Sequence, residues 1–276
     1  METAMTLPSN PVPLLLPFLI TIVLSCAIRE ERINCPSTLS LNLSEARSVM
    51  KELSADRLDL TIRGKEEYAD IRKIGVGDIP NCLEIQLPRG YAEVGAFAGG
   101  GNMQFLSGML LLPIGHEADM LWGYCADIDC TSEHTADTVI LHKQFCTIDI
   151  NISGMTPDDK CHINVEGNWN GLGAYDLTPV KGNFNALAET LPYGGFRVRV
   201  PRQGDNSLKM RLMRQARDGT GELIKTFSIG EIMAGKGYDW HASDLDDISV
   251  TIDYATLSAE IGITGWDGGG SKDYIL

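Results

Sequence analysis

Apolar and polar residues alternate along much of this chain. "TLSLNLS" sets Leu39, Leu41 and Leu43 on one face, "RLDLTIR" does the same with Leu58, Leu60 and Ile62, and "CLEIQLP" with Leu83, Ile85 and Leu87. The second half repeats the habit in "CTIDINI" (Cys146, Ile148, Ile150, Ile152), "FRVRVP" (Phe196, Val198, Val200), "ISVTIDY" (Ile248, Val250, Ile252, Tyr254) and "LSAEIGI" (Leu257, Ala259, Ile261, Ile263). A period of two, broken by Gly, Asn, Asp and Pro turns, is the signature of strands with one face in a core and the other in water. It predicts antiparallel β-sandwiches, so the expected fold class is all-β. One helix is expected at 44–53, where Ala46, Val49, Met50 and Leu53 share a face and Ser44 can cap the start. The rest of the chain carries little helical periodicity, and "IGEIMAGKG" (229–237) reads as a loop linking strands.

The parity of the alternation changes once. In "TVILHKQFCTIDINI" the apolar residues sit at odd positions (Val139, Leu141, Phe145) and then at even ones (Cys146, Ile148, Ile150). A strand cannot bury both sets against one sheet, because a one-residue slip reverses every side chain. A bulge or a new domain therefore begins near 142–146. With 276 residues available, two sandwiches are expected, at 36–140 and 141–276.

Residues 14–24, "LLLPFLITIVL", form an apolar run too short to span a bilayer but of the length of a signal-peptide core. The first Lys or Arg is Arg29, so the usual basic n-region is missing; a buried core segment is the alternative. Val23, Leu24 and Ser25 lead into Cys26, and V-L-S-C is similar to the lipobox of bacterial lipoproteins. There a thiol is alkylated by a diacylglyceryl group, and a peptidase cuts before it where a small side chain fits. Several acyl chains on one residue give stable anchoring, at about 0.8 kcal/mol per buried methylene. The expected organisation is a lipoprotein signal peptide at 1–25, a lipidated linker at 26–35, and Cys26 as the lipidation site. A buried free thiol is the plainer reading of Cys26.

The formal net charge of −14 repels phosphate backbones, and no Lys/Arg cluster offsets it, so nucleic acid is excluded as a partner. Besides Cys26 there are Cys35, Cys82, Cys125, Cys130, Cys146 and Cys161, an even set that permits disulfides in an exported protein. Cys125 and Cys130 are nearest in sequence and form a candidate bridge.

Enzyme signals fail on inspection. Gly230 to Lys236 spells G-x-x-x-x-G-K, but Gly237 stands where a P-loop needs Ser or Thr. His116 and Glu117 lack a second histidine at zinc-protease spacing, and "DDKCH" (158–162) reads as a polar turn entering a strand. "DLDDI" (244–248) and "DGGGSKD" (267–273) lack the spacing of a calcium loop. No catalytic residue, cofactor or metal ligand is assigned. Trp169, between asparagines in "GNWNGLGAYD", is either a largely buried strand-end aromatic or a platform for a sugar. Trp122, Trp240 and Trp266 are expected in cores.

Several stretches carry a resemblance. "CAIREERINCPSTLSLNL" (26–43), "LPRGYAEVGAFAGG" (87–100), "GHEADMLWGY" (115–124), "VILHKQFCTIDINISG" (139–154) and "GYDWHASDLDDISVTIDYATLSAEIGITGWD" (237–267) resemble the fimbrial anchor lipoproteins of Bacteroidetes. The charges Arg29, Glu30 and Glu31 look like that group's export signal to the outer face of the outer membrane. The resemblance implies two tandem transthyretin-like Greek-key β-sandwich domains and a non-enzymatic subunit of a surface fimbria. It implies attachment to the outer membrane by lipid and strand exchange with shaft or accessory subunits. Cleavage at Arg29 or Arg32 would free almost no strand, and only Ser271 to Leu276 follow the "DGGG" hinge, which favours a terminal, membrane-tied unit over a shaft unit. The alternatives are a tip adhesin of the same system or a glycan-binding surface lipoprotein.

Overall fold

A computed structural model describes residues 35–155, 160–192, 194–215 and 221–265. Cys26 and its leader, Arg29, Arg32, Trp266 and the tail from Asp267 lie outside the described residues. Strands dominate. The first part of the chain gives β1 (Ser37–Asn42), β2 (Arg57–Arg63), β3 (Ala69–Gly75), β4 (Cys82–Leu87), β5 (Tyr91–Ala98), β6 (Gln104–Leu106), β7 (Met109–Leu111), β8 (Trp122–Asp129), β9 (His134–Thr138) and β10 (His142–Lys143). The second gives β11 (Phe145–Ser153), β12 (Cys161–Gly173), β13 (Pro179–Leu187), β14 (Glu189–Thr190), β15 (Phe196–Pro201), β16 (Lys209–Gln215), β17 (Gly221–Phe227), β18 (Asp247–Asp253) and β19 (Ser258–Thr264).

These strands form four sheets, ordered β4-β1-β9, β10-β8-β5-β2-β3, β14-β15-β11-β18-β19 and β17-β16-β12-β7-β6, with β13 also paired to β12. The first two sheets share one core, in which Leu39, Leu41 and Ile85 meet Leu58, Leu60, Ile62 and Val94. The last two share another, in which Ile148, Ile150, Val198 and Val250 meet Ile163, Val165, Phe184 and Met210. Burying each such aliphatic side chain contributes ~1.5–3 kcal/mol. The two units repeat one arrangement: β1 runs antiparallel to β4 and parallel to β9, and β11 runs antiparallel to β15 and parallel to β18.

The change of parity has a physical meaning. Val139, Leu141 and Phe145 belong to the first core, whereas Cys146, Ile148 and Ile150 belong to the second. The chain passes from one hydrophobic cluster to the other between adjacent residues. Another crossing was not legible. The β6–β7 hairpin, early in the chain, extends the six-stranded sheet by pairing Met109 to Leu111 with Gly171 to Gly173 of β12. A third apolar cluster of Phe97, Leu110, Leu121, Leu172 and Ala174 lies where this hairpin and the β12–β13 turn pack on the outer face of β5 and β8. Gly95 and Gly123 make that approach possible. A Cβ at Gly95 would overlap the Ala174 carbonyl oxygen, and one at Gly123 would lie 2.8 Å from Leu177.

The helix expected at 44–53 spans Ser44–Glu52 and buries Ala46 and Met50. Its cap differs from expectation: Asn42 Oδ1 accepts the Ser44 N–H at 3.1 Å, because Ser44 is already the first helical residue. A second helix, Ile229–Gly235, replaces the expected loop. Seven residues with two glycines show too little periodicity to read, yet Ile229 and Met233, one turn apart and fully buried, pin the segment to the second core.

Candidate functional site

The chain enters the described structure at Cys35, exposed and two residues before the start of β1. Arg89 Nε donates to the Cys35 carbonyl at 3.0 Å and so ties the entry to the loop after β4. A tether at Cys26 would lie nine residues upstream of this point.

Between the cores stands a polar joint that sequence reasoning missed. Lys143 is 1% exposed, and its Nζ donates to Asp247 Oδ1 at 2.6 Å while lying 4.8 Å from the centre of the Phe145 ring. The backbone N–H of Thr147 reaches the same carboxylate oxygen at 2.6 Å, and that of Lys143 reaches Asp244 Oδ1 at 2.6 Å. His142 Nδ1 lies 3.0 Å from the other Asp244 oxygen. Arg202, also buried, spreads its guanidinium over the carbonyls of Trp240, Ala242 and Ser243 and over Gln144 Oε1, at 2.5 to 3.0 Å. A buried charge is tolerated only when it is paired or hydrogen-bonded; Asp247 pairs with Lys143, and three carbonyls and an amide oxygen receive Arg202. Burial pulls the Arg202 pKa down from its ordinary value. Burial likewise pushes the Cys146 thiol up to about 12 and raises the Tyr238 phenol. A signal for Lys143 existed: it occupies the same odd parity as Val139, Leu141 and Phe145, where a charge has no reason to stand unless something buried receives it.

Among the described residues, the strands at the sheet margins pair along one side only: β4 and β9, β10 and β3, β14 and β19, β17 and β6, and also β13, which pairs with β12. Such edges are templates for another chain. The three residues of β6 are all exposed, Phe105 and Leu106 among them, while Ile71 on β3 and Leu223 on β17 are exposed apolar residues on other edges. β9 is short and polar, and Asp137 turns inward to accept from Tyr124 Oη at 2.8 Å.

The residues weighed for chemistry are dispersed. Glu117 pairs with Arg199, while His116 is exposed. Gly230 to Gly235 are helical and Lys236 is the C-cap, so this stretch is no phosphate loop. Asp244 and Asp247 serve the joint. Cys161 and His162 begin β12, and Asp158 and Asp159 lie outside the described residues. Among the described residues no set of three or more His, Cys, Asp or Glu side chains is placed to hold a metal ion. The proposed Cys125–Cys130 bridge does not form. The two lie five apart, so they point to opposite faces: Cys130 is buried in the first core, and Cys125 donates to the Ala174 carbonyl at 3.5 Å. Desolvation pushes the Cys125 thiol up to about 12. Trp122 and Trp240 are core residues, as expected. Trp169 is half-buried within β12 rather than at a strand end; its indole packs on Gly204, and Lys181 Nζ sits 5.6 Å from the ring centre.

No protein-family model matches the chain, and no curated protein does. Solved structures do. A candidate adhesin from Bacteroides ovatus is 11% identical with a TM-score of 0.57, covering 88% of this chain and 96% of that one. The fimbrial anchor protein Mfa2 from Porphyromonas gingivalis is 11% identical with a TM-score of 0.55, covering 84% and 98%. A candidate polysaccharide-binding protein from Bacteroides thetaiotaomicron is 14% identical with a TM-score of 0.55, covering 84% and 96%. The chain thus has the fold of fimbrial anchor and adhesin-type proteins of Bacteroidetes, along nearly their whole length. Among the described residues no helix is long and apolar enough to cross a membrane.

Proposed function

We propose that this protein is a non-enzymatic, lipid-anchored structural subunit at the base of a bacterial surface fimbria. The observation that carries the reading is the end-to-end likeness of fold to a fimbrial anchor protein, 98% of which is covered, in a chain whose V-L-S-C stretch suits lipidation at Cys26. On this reading residues 1–25 are a lipoprotein signal peptide and 26–35 a lipidated linker. The two sandwiches, 36–140 and 141–276, are transthyretin-like Greek-key domains, a division that the two separate cores support. The nine residues from Cys26 to Cys35 could extend at most about 30 Å, which holds the first sandwich close to the outer membrane. Sheet edges then join a shaft or accessory subunit by strand complementation, in which the hydrogen-bond ladder supplies affinity and alternate side chains supply register.

A second reading, a tip adhesin of the same system, draws on the likeness to a candidate adhesin. The substitution Cys26→Ala separates the two. Under the first reading the variant takes up no radiolabelled palmitate and the cells shed intact fimbriae into the medium. Fimbriae that stay attached, or palmitate incorporation that persists, would overturn the anchoring role.

A further inference from the structure

A lysine amine can act as a nucleophile, whereas a guanidinium keeps its proton and cannot. Among the described residues Lys143 makes an ion pair with Asp247, and the other pairs are made by arginines or by His142. Burial sets this pair apart as well. The Lys143 side chain is 1% exposed, while both members of each other pair are at least 22% exposed. An ammonium so placed has lost its hydration, a cost that the facing carboxylate offsets only in part. An amide at the same place carries no charge and has no such cost.

Both groups are held in position. The backbone N–H of Lys143 donates to Asp244 Oδ1 at 2.6 Å, and the Lys143 carbonyl accepts the Leu245 N–H at 3.2 Å. On the other side, the Thr147 N–H donates at 2.6 Å to Asp247 Oδ1, the oxygen that Nζ also reaches at 2.6 Å. Asp247 Cγ is one C–O bond beyond that oxygen, so amine and carbon stand close to the attack range of about 3–3.5 Å. The Thr147 N–H is a fixed donor at the oxygen where negative charge would develop. The Phe145 ring, 4.8 Å from Nζ and itself buried, shields the amine from water. Asp247 remains 32% exposed, which gives a departing oxygen a way out to solvent.

We propose that Lys143 and Asp247 condense to an isopeptide bond that joins β10 of the first unit to β18 of the second. The ion pair is the state from which the bond forms. One ammonium proton passes to the carboxylate, and the neutral amine attacks Cγ. The N–C bond forms, a second amine proton moves to the departing hydroxyl, the C–O bond breaks, and water leaves. Three N–H bonds become one, and two protons and one oxygen depart together, so no oxidant or other reactant is needed. The link spans 104 positions of sequence and closes a loop that holds β11 to β17. Such a closure restricts the unfolded chain and prevents the two units from being drawn apart at this point. The inference stands apart from the anchoring role, because the chemistry needs only this pair and its surroundings.

The test is peptide mapping of the folded protein purified from cells. Trypsin does not cut after an acylated lysine, so the parent should yield residues 90–160 joined to 237–272, lighter than the two together by one water. Fragmentation of that species should place the link between Lys143 and Asp247. In Lys143→Arg the cation stays but cannot attack, and in Asp247→Ala the acceptor is gone. Each variant should release 90–143, 144–160 and 237–272 as separate peptides. The parent measurement stands alone even where a variant fails to fold. Separate peptides at full mass from the parent would mean an ion pair only and would overturn the proposal. A joined peptide that persists in either variant would overturn it too.

Discussion

Gly95→Ala adds one methyl group where β5 carries no side chain, and the consequence can be worked from the coordinates. The new Cβ would overlap the Ala174 carbonyl oxygen and lie 3.0 Å from Phe97 Cε2 and 3.1 Å from Thr61 Cγ2. Carbon prefers about 3.5 Å or more from its neighbours, so sheet and turn must part by an ångström or more. Separation on that scale breaks the 2.9 Å bond between Thr61 Oγ1 and Tyr175 Oη and wets the cluster of Phe97, Leu172 and Ala174. Overpacking costs ~1–3 kcal/mol and the lost hydrogen bond ~1 kcal/mol. Alanine regains ~0.5–1 kcal/mol over glycine through its lower conformational freedom. The net expectation is a loss of about 2 kcal/mol, or a fall of roughly 4–8 °C in Tm for a chain of this size. Calorimetry reads the Tm, and hydrogen exchange over residues 171–178 should show protection lost at the turn. Gly77→Ala is the control: nothing lies within 4 Å of its Cβ position, and its φ is not positive, so its Tm should hold or rise. A Gly95→Ala protein melting within about 1 °C of the parent, its turn still protected, would falsify this account of how the turn seats on β5.

Two further expectations concern buried groups. Arg202→Ala strands the carbonyls of Trp240, Ala242 and Ser243 and should cost about 3 kcal/mol or more in urea unfolding, with Arg202→Lys rescuing little because one ammonium cannot span that fan; a wild-type midpoint would refute it. In native alkylation by iodoacetamide, the exposed Cys35 and Cys82 should react first and Cys146 only on unfolding, since burial holds its thiol at a pKa of about 12. At pH 9 its thiolate is then a fraction on the order of one in a thousand, and labelling of Cys146 as fast as Cys35 by mass spectrometry would count against the packing described.

The alternation that marked the strands was legible because one face of each sheet is dry. Leu39, Leu41, Leu58, Leu60, Ile148 and Val250 all point inward, and their polar neighbours do not. The margin strands were less clear: Ile263 was grouped with the core set, yet it is 37% exposed on β19 at a sheet edge. The β6–β7 hairpin could not be read as part of the second unit, because pairing between Leu110 and Leu172 leaves no trace in local periodicity. The helix at Ile229 is set by two buried contacts rather than by propensity. Trp169, readable as a largely buried strand-end aromatic or as a sugar platform, is half-buried inside β12, with its ring packed on Gly204.

The joint shows how two cores can share one chain without merging. Residues 145 and 146 point into different clusters, so the passage between units has no slack residue at its centre. An apolar patch would hold the units together but leave them free to slide, because the hydrophobic effect is non-directional. Lys143 and Arg202 instead impose directions: one ammonium meets the Asp247 carboxylate, and one guanidinium faces three carbonyls and an amide. Buried ion pairs add little net stability against well-packed apolar residues, but any rotation that separates them exposes an unmet charge. The glycines on β5 and β8 act in the same sense, letting a turn seat at one depth only. On the proposed reading, with lipid at one end and a neighbour's strand at the other, tension would pass through this passage, and a fixed angle there would carry load that a greasy hinge would dissipate in sliding.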